Sequence, residues 1–109
     1  MADQQKEQLG TWVFDGEPEH SITPLTAFRQ WADSTHNARI IYEPGLTYSR
    51  DKNLSGIAKA VEAAKNADII LFFCGEEAIL SGEARCRADL NLPGAQIEMM
   101  DALVATGKP

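Results

Sequence analysis

The pattern of hydrophobic and polar residues predicts three amphipathic helices along the chain. The first covers about residues 24–34, because Thr23-Pro24 supplies a favourable N-cap and a proline at the first helical position. The second runs from residue 53 or 55 to 66 and the third over about 95–105, where Thr106-Gly107 ends it. Their apolar faces are predicted to consist of Leu25, Phe28, Trp31 and Ala32, then Leu54, Ile57, Ala58, Val61 and Ala64, then Ile97, Met100, Leu103 and Val104.

Two shorter apolar stretches predict strands. Residues 39–42 are rich in β-branched side chains and end at a Glu-Pro-Gly breaker. Ile69 to Cys74 is a run of six apolar residues without alternation, which is typical of a strand buried on both faces of a parallel sheet. Strands that alternate with helices predict an α/β fold with a mainly parallel sheet.

The predicted sheet is too small to stand alone. Parallel strands bury both faces and need neighbouring strands on both sides, so two strands with three helices are too few, and a further strand is expected after the helix that ends at residues 106–107. We therefore expect residues 1–109 to be a piece of a larger protein. Residues 1–10 are polar, have no clear period and predict a tail or surface segment.

Composition excludes several classes of protein. With 44% hydrophobic and 24% charged residues the chain is expected to be globular, and its formal net charge of -6 argues against a nucleic-acid binder, which needs clustered Lys and Arg. It contains no apolar run long enough to span a membrane and no signal peptide. Cys74 and Cys86 are too few for a disulfide scaffold and lack the spacing of a zinc site, and no phosphate-binding glycine motif is present. We expect neither a metal nor a cofactor.

Candidate chemistry lies in the loop that follows the apolar run 69–74. Residues 75–89 contain the carboxylates Glu76, Glu77, Glu83 and Asp89 together with Arg85 and Arg87. In open α/β sheets, ligands bind beyond the carboxyl ends of the strands. Partial desolvation and nearby arginines can move the pKa of a carboxyl group in either direction, which general acid/base catalysis requires. The alternative from composition alone is a mixed-charge surface loop.

Several motifs, taken together and in collinear order, resemble glycoside hydrolase family 3, most closely its bacterial periplasmic β-glucosidases. The motifs are Gly10-Thr11-Trp12, Asp15-Gly16, Ser21-Ile22-Thr23-Pro24-Leu25, Gly75-Glu76, Ser81-Gly82-Glu83-Ala84-Arg85-Cys86-Arg87, Asp89-Leu90-Asn91-Leu92-Pro93-Gly94 and Ala105-Thr106-Gly107-Lys108-Pro109. Cys86 stands where that group commonly has Ser. The resemblance covers about residues 3–109.

The resemblance implies a retaining glycosidase built from two domains. An N-terminal barrel supplies the aspartate nucleophile, and a second domain, a three-layer α/β sandwich of the flavodoxin-like type, supplies the general acid/base from a loop. The chain is then a fragment of the second domain, cut at both ends, that acts with the barrel of the longer chain on a β-glucoside or oligosaccharide. Because the nucleophile motif is absent from residues 1–109, the fragment alone is expected to be inactive.

The same resemblance places the acid/base at one of two glutamates. Glu76 is the first choice because it matches the Gly-Glu at the end of the apolar run, and Glu83 in Ser-Gly-Glu-Ala-Arg is the second. Arg85 and Arg87 are expected to anchor the loop by pairing with Asp89, and the alternative is that they contact sugar hydroxyls. The family also implies a periplasmic or secreted protein.

Two further possibilities remain open from the sequence. The chain could be a non-catalytic flavodoxin-like module that binds a ligand or a partner, or it could come from a family member that has lost its activity. Apolar edges left without neighbours are also expected to favour self-association of the fragment.

Overall fold

A computed structural model describes all residues, 1–109, and contains helices and turns but no β-strand. The four α-helices are α1 (Gln5–Leu9), α2 (Pro24–Thr35), α3 (Ile57–Lys65) and α4 (Gln96–Val104). Three single 3₁₀ turns cover Pro18–His20, Leu54–Gly56 and Ala78–Leu80. No helix combines the length and the apolar character that a membrane span requires.

The predicted α/β fold, a partial three-layer sandwich with a mainly parallel flavodoxin-like sheet, is wrong for this structure. Neither residues 39–42 nor the run Ile69 to Cys74 forms a strand. An extended segment becomes a strand only when its N–H and C=O groups form a ladder with a neighbouring segment. Ile70 donates its N–H to the carbonyl of Pro109 at 2.8 Å, but no ladder follows from that hydrogen bond.

The run 69–74 is also not buried on both faces. Ile70 and Phe72 pack against a hydrophobic cluster, whereas Ile69, Leu71 and Phe73 are 65%, 55% and 39% exposed. The run therefore has one covered face and one bare face, which the absence of alternation in its sequence did not indicate.

The chain divides into two compact units. Unit 1 consists of Met1–Ile40 and Glu77–Asp89, and unit 2 consists of Ile41–Glu76 and Leu90–Pro109. The chain therefore passes from unit 2 to unit 1 after residue 76 and returns at residue 90.

Unit 1 is organised by α1 and α2. The predicted N-cap of α2 is confirmed, since the Thr23 hydroxyl accepts a hydrogen bond from the N–H of Thr26 at 3.1 Å. Leu25 and Ala32 are the buried residues of α2. Residues 1–10, predicted as a tail or surface segment, include the short helix α1, which has no buried residue.

Unit 2 holds a hydrophobic core between α3 and α4. Ala60 and Ala64 of α3 pack with Met99 and Leu103 of α4. Leu46, Ile57, Ile70 and Phe72 cover the edges of this cluster.

The face of α4 that is buried differs from the predicted one. Gln96, Met99 and Leu103 are buried, whereas Met100 and Val104 are 38% and 70% exposed. The helix is thus rotated by about one residue relative to the predicted apolar face. The rotation brings a polar side chain, Gln96, into the interior.

Candidate functional site

The candidate acid/base residues lie on the carboxylate loop, defined as residues 75–89. Glu76 belongs to unit 2, and Glu83 belongs to unit 1. The side chains of both glutamates are exposed.

Glu76 follows Gly75, whose backbone N–H and C=O are both hydrogen-bonded. Gly75 has a φ of +139°, and its N–H and C=O both hydrogen-bond the side-chain amide of Gln96. Glu76 itself takes part in an interaction within the chain. The start of the carboxylate loop is therefore anchored in unit 2.

Glu83 lies in a turn with unusual backbone angles. Gly82 has a φ of +136° and Ala84 a φ of +58°, and the N–H of Arg85 donates to the carbonyl of Gly82 at 3.1 Å. A non-glycine residue with a positive φ costs roughly 1–2 kcal/mol, and such strain is concentrated at functional sites. The Glu83 carboxylate accepts no hydrogen bond and forms no ion pair in the structure.

Ala78, just after Glu77, is held within unit 1 by two side chains. The carboxylate of Glu7 accepts its N–H, and the hydroxyl of Thr11 donates to its carbonyl. The carboxylate loop is thus attached to the N-terminal segment of the chain as well as to α4.

The side chain of Gln96 forms four hydrogen bonds to backbone groups at and near the start of the carboxylate loop. It is 3% exposed, and its Oε1 accepts the N–H of Gly75 at 2.8 Å. Its Nε2 donates to the carbonyls of Gly75 and Ser49, both at 2.8 Å, and of Pro93 at 3.0 Å. No buried side-chain nitrogen or oxygen in the structure lacks a partner.

Asp51 organises the polar loop, residues 47–53. Gln96 contacts this loop through the backbone carbonyl of Ser49. Its carboxylate accepts hydrogen bonds from the Thr47 hydroxyl at 2.6 Å, the Asn53 N–H at 2.8 Å and the Thr47 N–H at 3.1 Å. These bonds, the Thr47 hydroxyl first, hold the pKa of Asp51 below its ordinary value because they favour the ionised carboxylate. The backbone carbonyl of Asp51 accepts the N–H of Ala95 at 2.8 Å, so this loop is bonded to the start of α4.

A shallow cleft of about 180 Å³ adjoins the same polar loop in unit 2. Glu43, Asp51 and Lys59 are among the residues that line it. No group of three or more His, Cys, Asp or Glu side chains is arranged to hold a metal ion.

Sequence reasoning missed Gln96 and Asp51, although each has a local signal. Gln96 lies three and seven residues before Met99 and Leu103, and a glutamine on a buried helical stripe requires polar partners. Asp51 precedes Asn53 by two residues, the spacing at which an Asp side chain caps a backbone N–H.

Comparison with known proteins gives a match over the whole chain. The model of the glycosyl hydrolase family 3 C-terminal domain matches residues 1–109. No solved structure gives a significant match.

Three relatives illustrate the range of similar proteins. A periplasmic beta-glucosidase of Salmonella typhimurium is 29% identical over 128 residues, which cover 100% of this chain and 16% of the relative. A probable exo-1,4-beta-xylosidase of Aspergillus clavatus is 36% identical over 94 residues, covering 86% of this chain and 11% of the relative. A beta-xylosidase of Formosa agariphila is 29% identical over 115 residues, covering 99% and 15%. The chain spans less than a fifth of the length of these relatives.

Proposed function

Because the chain belongs to glycoside hydrolase family 3 and matches its C-terminal domain from residue 1 to 109, we propose that it is the acid/base segment of a longer retaining β-glucosidase. The substrate is a glucoside or oligosaccharide with a terminal β-linked glucose. Support comes from the similarity to a periplasmic beta-glucosidase, while the xylosidases among the relatives make a β-xyloside the natural comparison substrate.

A retaining mechanism assigns different tasks to two carboxyl groups about 5–5.5 Å apart. One attacks the anomeric carbon and forms a covalent glycosyl-enzyme, while the other donates its proton to the departing glycosidic oxygen. The second group, now ionised, then takes a proton from the water that releases the sugar. In the proposed enzyme the nucleophile belongs to a barrel domain of the longer chain and the acid/base to the carboxylate loop.

Glu83 is the acid/base in this proposal, and its unengaged carboxylate is the observation that supports it. A general acid must deliver its proton to the substrate, and the Glu83 carboxylate has no internal hydrogen bond or ion pair to give up. The left-handed Ala84 beside it adds backbone strain of the kind found at functional sites. Closure of the site against the barrel would exclude water from around the carboxyl and strengthen its interaction with the glycosidic oxygen.

Glu76 is the alternative acid/base, since it follows the apolar run directly. It takes part in an interaction within the chain, and Gln96 anchors the residue before it. If Glu83 is the acid, Glu76 has a structural or substrate-contacting role.

The test compares Glu83→Ala and Glu76→Ala in the full-length enzyme. Replacing the true acid/base should lower kcat/KM for a poor leaving group, such as methyl β-glucoside, by about 10²–10⁴-fold. The loss should be much smaller for dinitrophenyl β-glucoside, whose leaving group needs no proton. Azide should restore turnover of the activated substrate and give β-glucosyl azide, because a small anion can replace the missing base.

Glu98→Ala is the matched control, since Glu98 is an exposed glutamate on α4 outside the carboxylate loop. Glu98→Ala should leave kcat/KM for both substrates unchanged. The acid/base proposal fails if neither Glu83→Ala nor Glu76→Ala shows the dependence on the leaving group. Parallel assays with β-glucosides and β-xylosides decide the sugar.

One consequence follows from the proposed location of the nucleophile on another domain, and the similarity to a periplasmic relative suggests a second test. Residues 1–109 expressed alone should hydrolyse neither substrate, and turnover by this segment would contradict the division of labour. The longer enzyme is proposed to act in the periplasm or outside the cell, which fractionation of the cells that produce it would test.

A further inference from the structure

The side chain of Gln96 joins two positions that we call the stems of the carboxylate loop, Gly75 at its start and Pro93 beyond its end. Gly75 is the residue before Glu76, and Pro93 lies four residues after Asp89. Both accept hydrogen bonds from the Gln96 Nε2, at 2.8 and 3.0 Å. The chain leaves unit 2 after Glu76, next to Gly75, and returns at Leu90, three residues before Pro93, so Gln96 bonds unit 2 close to both points.

Gln96 forms two hydrogen bonds with the backbone of Gly75, one as acceptor and one as donor. Gln96 accepts the N–H of Gly75 and donates to the carbonyl of the same residue, both at 2.8 Å. A side-chain amide presents a donor and an acceptor side by side in one plane. Methionine has the same length but neither group, and asparagine is one methylene shorter.

The anchor of Gln96 is itself rigid. Gln96 begins α4, it is 3% exposed, and its Nε2 also donates to the carbonyl of Ser49. The next residue back, Ala95, donates its N–H to the carbonyl of Asp51. The position of the Gln96 amide is therefore determined by α4 and the polar loop 47–53 together.

We infer that Gln96 is a positioning residue for acid/base catalysis, acting by fixing both stems of the carboxylate loop. This inference rests on the proposed function, because it needs a general acid on that loop. It does not require Gln96 to touch the substrate. Without the amide, the loop carries its carboxyl in a wider range of positions, and a displacement of about 1 Å is enough to lower a proton-transfer rate by about 100-fold.

The experiment measures Gln96→Met and Gln96→Asn in the full-length enzyme with methyl β-glucoside and dinitrophenyl β-glucoside. We expect Gln96→Met to lower kcat/KM for the poor leaving group by about 100-fold, with a much smaller loss of kcat/KM for the activated substrate. Gln96→Asn retains an amide that reaches fewer partners, so its loss should be intermediate.

Two controls separate positioning from stability. Leu103→Ala removes a buried side chain of the same helix that is not bonded to the loop, so it should lower the melting temperature but affect both substrates equally. Gln8→Met removes a glutamine of the exposed helix α1 whose amide also donates to backbone carbonyls. It should leave kcat/KM for both substrates unchanged.

The outcomes distinguish the inference from the proposed function. An equal loss on both substrates in folded Gln96 variants, or no loss, overturns the positioning role. Failure of both Gln96 variants to fold also overturns it, since Gln96 is then required for folding alone. If neither Glu83→Ala nor Glu76→Ala depends on the leaving group, the proposed function fails whatever Gln96 does. If the loss depends on the leaving group in one of these two variants but not in Gln96→Met, only the inference about Gln96 fails.

Discussion

Gly94 lies so close to Asp51 that a Cβ on residue 94 would be 2.6 Å from the Asp51 carbonyl oxygen. The same Cβ would be 2.7 Å from the carbonyl oxygen of Ser49, and Gly94 has a φ of +66°. Glycine is therefore required here for two reasons, the close approach of two backbones and the left-handed conformation. This contact is next to the hydrogen bonds of Ala95 and Gln96, so it sets where α4 begins relative to the polar loop.

Gly94→Ala is expected to destabilise the chain by about 2–5 kcal/mol, from left-handed strain and from overpacking against backbone that cannot move aside. Gly107→Ala is the matched control, because Gly107 has a φ of +74° but nothing within 4 Å of its Cβ position. It should cost only the strain, about 1–2 kcal/mol. Urea denaturation measures both, and equal losses would contradict the close-approach argument.

Asp51→Asn should weaken the polar loop more at neutral pH than in acid. The pKa of Asp51 is lowered in the folded chain, so its contribution to stability is present above its unfolded pKa of about 4 and is lost as pH falls through the folded value. The difference in unfolding free energy between the natural chain and Asp51→Asn should therefore shrink on acidification.

Urea denaturation at pH 7 and at successively lower pH checks this prediction for Asp51. Asp101→Asn, an exposed aspartate on α4, is the control and should have little effect at either pH. A stability difference for Asp51→Asn that is independent of pH would show that its hydrogen bonds do not favour the ionised carboxylate.

Two adjacent methionines report which face of α4 is buried. Met99 is 2% exposed and belongs to the core of unit 2, whereas Met100 is 38% exposed. Met99→Ala should cost about 2–5 kcal/mol and Met100→Ala less than about 1 kcal/mol. Thermal or urea unfolding of the two variants measures this difference, and the opposite order would restore the apolar face expected from the sequence.

The exposed side chains of the run 69–74 predict self-association of the isolated chain. Ile69, Leu71 and Phe73 form an exposed apolar face. Association of two copies would remove this face from contact with water. Light scattering at rising concentration should show oligomers, and Leu71→Lys should reduce them. Val104→Lys, at a 70% exposed position on α4 outside this run, should reduce them less. A clean monomer at high concentration would contradict the prediction.

Local chemistry in the sequence was sufficient for three of the four α-helices, α2, α3 and α4, but α1 was not predicted. The Thr23 cap and Pro24 act within one turn, so the start of α2 is correctly predicted, and α3 and α4 begin and end within a few residues of their predicted bounds. The motifs around Glu76 and Glu83 likewise led to family 3, and the family model matches the whole chain. These features depend on neighbours along the chain.

Features that depend on contacts across the chain were decided only by the tertiary structure. The run Ile69 to Cys74 has the composition of a buried strand, but a strand needs a neighbouring segment for its backbone, and burial needs a layer on each face. The polar partners of Gln96 lie 21 and 47 residues away, at Gly75 and Ser49, so no local pattern reveals which atoms it bonds. The sequence by itself therefore determined the three longer helices and the family, whereas packing decided which faces are buried and which side chain holds the start of the carboxylate loop.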